Sequence, residues 1–188
     1  MNEQVAFWIA QSISIFTALI AILSLQLKNM KAILVCQISA NLLAGSTYIL
    51  LGGLSGAGVS IIAVVQAVVM YILKLKNIKP HFLVTLLFIA AFTGYSVWSY
   101  SSPLDLLPLG AAVFYSLSIA QKNPRRFRFF GTINPTFWLA YDIYTLALVN
   151  FLVHLGIFAS GVVGIVRLDI IGRKKEAIVS DAREENIE

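Results

Sequence analysis

FFGTINPTFWLAYDIYTLALVNFLVHLGIFASGVVGIV, residues 129 to 166, runs for 38 residues with Asp142 as its only acid and with no lysine or arginine. A helix crossing about 30 Å of hydrocarbon uses about 20 residues. The stretch is therefore too long for one span, and it folds into two joined by a tight turn near Leu146 to Asn150.

Working outward from that pair, Phe129 to Leu146 and Val149 to Leu168, the same length rule finds five more spans. They are Val5 to Leu25, Ala32 to Leu51, Gly56 to Leu73, Phe82 to Trp98 and Asp105 to Ala120. The last of these starts at Ser102-Pro103-Leu104-Asp105, where an Asp cap and a first-turn Pro108 suit a helix start. Seven spans also sort the charges. Lys28 and Lys31 follow span one, Lys74, Lys76 and Lys79 follow span three, and Lys122, Arg125, Arg126 and Arg128 follow span five. Arg167, Arg173, Lys174, Lys175 and Arg183 lie at or after span seven, which accounts for all fourteen bases. The N-terminus and the loops after spans two, four and six have none. By the positive-inside rule the N-terminus is outside and the C-terminus cytoplasmic.

Composition agrees. The chain of 188 residues is 59% hydrophobic and 12% charged, against ~45–50% and ~25% in soluble domains. A soluble globule is excluded, and the net charge of +5 reports orientation rather than a nucleic-acid partner. The single cysteine, Cys36, lies in an apolar run, so neither a disulfide framework nor a CxxC pair exists. Met1-Asn2-Glu3-Gln4 lacks a basic n-region, so the first apolar run reads as a retained membrane helix. The expected fold is all-α and polytopic: residues 1–168 form the seven-helix domain and residues 169–188 a charged, solvated cytoplasmic tail.

An internal repeat is visible. Ser24, Lys28 and Asn29 match Ser118, Lys122 and Asn123 at an offset of 94, and Asn41 and Tyr48 match Asn134 and Tyr141 at 93. This relates spans one to three (5–73) with spans five to seven (105–168) and leaves span four (82–98) as an inverting linker. The expected arrangement is a 3+1+3 parallel repeat about an axis along the membrane normal.

Polar side chains inside hydrocarbon are costly unless paired or facing a cavity. On span two, Gln37, Asn41 and Tyr48 share one helical face; on span six, Asn134, Trp138, Tyr141, Asp142 and Thr145 do the same. Amides, hydroxyls and flat rings are the chemistry that holds a small polar solute without strong charge. Pro135 removes a helical hydrogen bond and supplies a hinge. The same residue types also glue helices together, with Gly45, Gly52, Gly58, Gly161 and Gly164 allowing close approach. Asp142 lies about 20 Å into span six, with His154 on span seven as its titratable candidate partner. It is either half of such a pair or hydrated near the outer interface. His81, after Pro80, reads as a solvated loop residue. No HExxH, glycine-rich phosphate loop, GxSxG or Ser/His/Asp set is present, so neither enzyme activity, metal nor cofactor is expected.

Trp8-Ile9-Ala10-Gln11 opening span one, Lys28-Asn29, Gln37, Leu50-Leu51-Gly52 followed by Ala57-Gly58 and Ser60, Leu106-Leu107-Pro108, Trp138 and Arg167 resemble the YgjV-like family of bacterial inner-membrane proteins. That family is itself distantly similar to the SWEET, SemiSWEET and PnuC transporters. The resemblance implies a seven-helix carrier for a small polar solute such as a sugar, a vitamin precursor or an amino acid. The chain departs from the SWEET pattern in having a clear span proline only at Pro135, and in carrying Gln66 in span three, and Gly161 and Gly164 in span seven, where such carriers place asparagine. Two function classes follow. One is an alternating-access carrier with a cavity lined by the two polar faces. The other is a membrane scaffold or accessory subunit whose polar faces are packed shut, and either is compatible with a homo-oligomer.

Overall fold

The computed structural model describes residues 3–50, 54–100, 102–145 and 148–172; the side chains of residues 3, 48, 54–56, 105, 142, 144, 145 and 148–150 lie outside that description. Seven helices follow in chain order, and no strand occurs among the described residues: α1 (Glu3–Gln26), α2 (Met30–Leu50), α3 (Leu54–Leu75), α4 (Phe82–Trp98), α5 (Leu106–Ile119), α6 (Pro124–Thr145) and α7 (Leu148–Gly164). A 3-10 turn, Pro103–Asp105, leads into α5, and a π-helical segment, Ile165–Ile171, continues α7. The sequence reading ended the seventh span at Leu168. The helical chain instead runs on to Ile171, and Asp169 within it pairs with Arg128 of α6.

Short connections set the helix ends. Asn29 and Asn123 stand at the N-caps of α2 and α6, where each side-chain oxygen accepts from the backbone N–H two residues on, Lys31 and Arg125, both at 2.9 Å. Pro124 takes the first helical position, where its missing N–H costs nothing. Arg125, Arg126 and Arg128 therefore sit in the first turns of α6 rather than in a loop. His81, expected as a loop residue, caps α4 by accepting from the Leu83 N–H at 3.3 Å. At the start of α5, Ser102 accepts from Leu104 and Asp105 falls within the 3-10 turn, one residue before the helix.

Each helix packs on the next in the chain and α7 packs back on α1, so the seven close into a ring. A contact between α3 and α5 leaves α4 outside the shorter circuit. Three helical stretches are long and apolar enough to cross a membrane, Gln4–Gln26, Ala57–Leu75 and Phe151–Ile171, with Phe82–Trp98 and Leu106–Ile119 as shorter apolar helices. The two that remain, α2 and α6, are long enough but diluted by the amides, hydroxyls and bases described above. Leu19, Leu23, Ile61, Leu87, Leu152 and Val163 point outward and are more than half exposed, as a lipid-facing surface requires. The buried apolar cluster gathers Leu25, Met30, Ile33, Leu34, Ala67, Met70, Ile119 and Phe127. All lie within about two turns of the end of the bundle that carries the bases.

Glycines let the helices approach. A Cβ on Gly164 would stand 2.8 Å from the Leu25 carbonyl, one on Gly161 would overlap Thr132, and one on Gly58 would meet the Tyr95 ring at 2.8 Å. Gly94, by contrast, faces open space. Gly164→Ala is expected to lower stability by about 1–3 kcal/mol through forced separation of α1 and α7. Gly94→Ala is expected to be neutral or to stabilise by up to ~1 kcal/mol through helix propensity. Thermal unfolding of the two variants in detergent checks the contrast.

Candidate functional site

The two asparagines singled out on α2 and α6 both reach α5. Asn134 Nδ2 donates to the Ala111 carbonyl at 2.6 Å, and Asn41 Nδ2 donates to the Tyr115 hydroxyl at 2.8 Å and to the Gln37 carbonyl at 2.7 Å. Ala111 and Tyr115 are one turn apart on the same face of α5. That face is held against α6 by rings: Phe114 stacks on Phe137 with centroids 5.3 Å apart, and Gly110 leaves the room that Phe137 fills. Pro135 is buried within α6, which continues through it to Thr145.

The other sequence-predicted residues separate from this pair. Gln37 turns toward α1, donating to the Ser24 hydroxyl at 2.9 Å. Trp138 stacks on His154 at 5.5 Å with the rings 10° from parallel and meets Tyr141 edge-on, forming an aromatic block between α6 and α7. The side chains of Tyr48 and Asp142 lie outside the described residues, and with them the postulated Asp142–His154 pair.

Gln66 joins the site from α3. It is fully buried, its Oε1 accepts from the Ser116 hydroxyl at 3.1 Å, and its Nε2 is buried with no hydrogen-bond partner among the described residues. Whichever way the amide is turned, Ser116 satisfies one end and the other is left over. An unpaired amide end in such surroundings costs about 1–3 kcal/mol. Since Ser116 and Tyr115 are adjacent on α5, one short segment of that helix touches Gln66 from α3 and Asn41 from α2. Gln66, Asn41 and Asn134 each lie ~13–16 Å from the base-bearing ends of their own helices, close to the middle of a ~30 Å slab. The signal for Gln66 was present as a lone amide in Val64-Val65-Gln66-Ala67-Val68, and the signal for Tyr115 and Ser116 as a polar pair in the shortest apolar helix.

Across the ring, Arg128 is 2% exposed and holds the opposite seam. Its guanidinium donates to both oxygens of Asp169 and to the Leu27 carbonyl at 2.8 Å, so one side chain joins α6 to α1 and to the π segment. Gln26 donates to the Ser160 carbonyl and hydroxyl, and Ser160 donates to the Ile22 carbonyl at 3.0 Å. Nothing local in the sequence pairs Arg128 with Asp169, which stand 41 residues apart.

Contacts at the two seams match at a separation of 94 residues. Ser160 bonds residue 22 across α7 and α1, and Gln66 bonds residue 116 across α3 and α5. Gln37 rests on Ser24, and Gly131 lies against Ser118. The buried Leu25 and Ile33 correspond to the buried Ile119 and Phe127.

A closed ring of apolar helices with lipid-facing aliphatics and a few hydrogen-bonded amides at mid-depth is the architecture of a polytopic α-helical membrane protein. The family model described as Imp-YgjV, bacterial inner membrane protein, matches residues 8–170, and the chain belongs to that family. No curated protein and no solved structure shows significant similarity to it. Its setting is the bacterial inner membrane, with the lipid bilayer in contact with the outward aliphatic face.

The Arg128–Asp169 pair, 3% and 11% exposed at the side chains, gives a direct test of the seam. Arg128→Ala is expected to lower stability by about 2–3 kcal/mol, since it removes the charged hydrogen bonds to Asp169 and leaves that carboxylate with the more exposed Arg125 at 3.7 Å, and Arg128→Met combined with Asp169→Leu is expected to lose markedly less. Denaturation in mixed micelles reads both.

Proposed function

We propose that the protein is an alternating-access carrier for a small, polar, uncharged or zwitterionic solute, in the class of a sugar, a vitamin precursor or an amino acid. The observation that carries this reading is the Gln66 amide, buried near mid-membrane with one end unpaired, beside the Tyr115–Asn41 hydrogen bond. A solute hydroxyl or carbonyl that satisfies it recovers the desolvation cost on binding. Asn41, Asn134 and Tyr115 can exchange their internal hydrogen bonds for solute ones, while Gln37, Trp138, Tyr141, Asp142 and Tyr48 belong to the wider lining expected from the sequence. Two three-helix units, α1–α3 and α5–α7, rock about this point in a 3+1+3 parallel repeat with Pro135 as hinge and the base-bearing end facing the cytoplasm. The matching seams support that division. The apolar cluster and the Arg128–Asp169 pair then close the cytoplasmic side.

A second reading is favoured by the hydrogen bonds already made. Gln37, Asn41 and Asn134 all have protein partners, as a packed scaffold or accessory subunit requires. Gln66→Leu separates the two. The carrier reading expects stability to be kept or raised while uptake falls at least tenfold in proteoliposomes offered a panel of labelled sugars, nucleosides and amino acids. Asn41→Ala combined with Asn134→Ala is expected to reduce the same uptake. Absence of uptake of any panel member by the unmodified protein, or uptake unaltered by these variants, decides for the scaffold.

A further inference from the structure

The two matching seams differ at the base-bearing end. Where α7 meets α1, the protein supplies its own anion, Asp169, against Arg128. Where α3 meets α5, residue 34 stands at the position equivalent to Arg128 and is leucine, and residue 75 at the position equivalent to Asp169 is also leucine. The seam there is an open cleft of about 80 Å³, floored by Leu34, Met70 and Ile119 and rimmed by Lys74, Gln121 and Lys122. It exists because α5 is short. Gln66 lies nine residues before the end of α3 and its partner Ser116 three before the end of α5, so α3 projects ~9 Å further.

The lysines are held there by the fold. Lys74 Nζ donates to the Lys122 carbonyl at 3.4 Å, bridging α3 to the chain leaving α5. After α3 the Ile78 N–H bonds the Leu73 carbonyl at 2.9 Å and the Asn77 N–H bonds that of Lys74 at 3.3 Å. Asn77 is left-handed, φ 53°. This is a Schellman turn, and it brings Asn77, Ile78 and Pro80 onto the cleft, with Lys79 between them close to Lys122. Partial desolvation, with Lys79 and Lys74 close by, holds the Lys122 ammonium below the ordinary lysine range. No Asp or Glu occurs in residues 26–31, 74–82 or 119–128, and among the described residues none of these lysines has a salt bridge.

We infer that Lys74, Lys79 and Lys122 form a binding site for a phosphate-bearing anion at the membrane surface, which completes the α3–α5 seam as Asp169 completes the α1–α7 seam. The cleft holds two or three waters' worth of space, enough for a phosphate group and too little for a sugar. Its place at the ends of two spans suits the headgroup of an anionic phospholipid, and basic pockets between transmembrane helices recognise such headgroups. A free phosphate or a soluble phosphate ester offers the same chemistry.

The site is tested by thermal-shift titration of the full, detergent-purified chain with phosphatidylglycerol, phosphatidylcholine or inorganic phosphate. Phosphatidylglycerol is expected to raise the unfolding temperature where phosphatidylcholine does not. The variant K74Q/K79Q/K122Q is expected to weaken that response at least about tenfold, whereas the charge-matched K28Q/K31Q/R126Q retains it. Stabilisation by inorganic phosphate that is lost in the first variant alone also supports the site and assigns it to a soluble anion. Equal weakening in both triple variants, no weakening in the first, or no response of the unmodified chain to either anion overturns it. Unaltered unfolding temperatures of both variants without added anion show that they fold.

Discussion

The ring closes where α7 returns to α1, and that return rests on one buried guanidinium. Arg128 binds the backbone carbonyl of Leu27, the residue that follows α1, and both carboxylate oxygens of Asp169 in the segment that continues α7, from a position in the second turn of α6. Three chain segments far apart in sequence are thereby fixed to each other at one end of the bundle. Helix association in lipid gains little from hydrophobic burial, since the tails are as apolar as leucine. Close packing and hydrogen bonds must supply it. Gly161 and Gly164 bring the backbones near enough for Gln26, Ser160 and Arg128 to bond across the seam.

The same economy runs through the interior. Ser14, Thr17, Thr47, Thr93 and Thr132 return their hydroxyls to carbonyls one turn back, so these polar side chains are satisfied within their own helices. Against that background Gln66 stands out as a buried amide end that the protein leaves unmatched.

Much of the fold was legible in the sequence because it follows from two long-wavelength signals, apolar run length and the alternation of bases. Phe82–Trp98 was bounded correctly because Pro80 and the polar Ser99-Tyr100 mark its ends. α6 was not, because its first turns carry Arg125, Arg126 and Arg128, which read as loop although Asn123 and Pro124 start a helix there. The site was legible in part. Helical spacing put Asn41 and Asn134 on inward faces, but it could not say that Gln37 would turn to Ser24 while its neighbour one turn on would turn to Tyr115. Such choices depend on the rotation of one helix against another. The Arg128–Asp169 pair was invisible for the same reason.

The π-helical segment Ile165–Ile171 has one further consequence. A π turn carries one residue more than an α turn needs, closed here by the Gly172 N–H on the Arg167 carbonyl five residues back. Rewinding that turn to α geometry would rotate everything beyond it by about 100° and draw the Asp169 carboxylate off Arg128 without breaking the helix. The end of α7 thus sets the Asp169 carboxylate on Arg128 by a local widening of the winding rather than by a break in the helix.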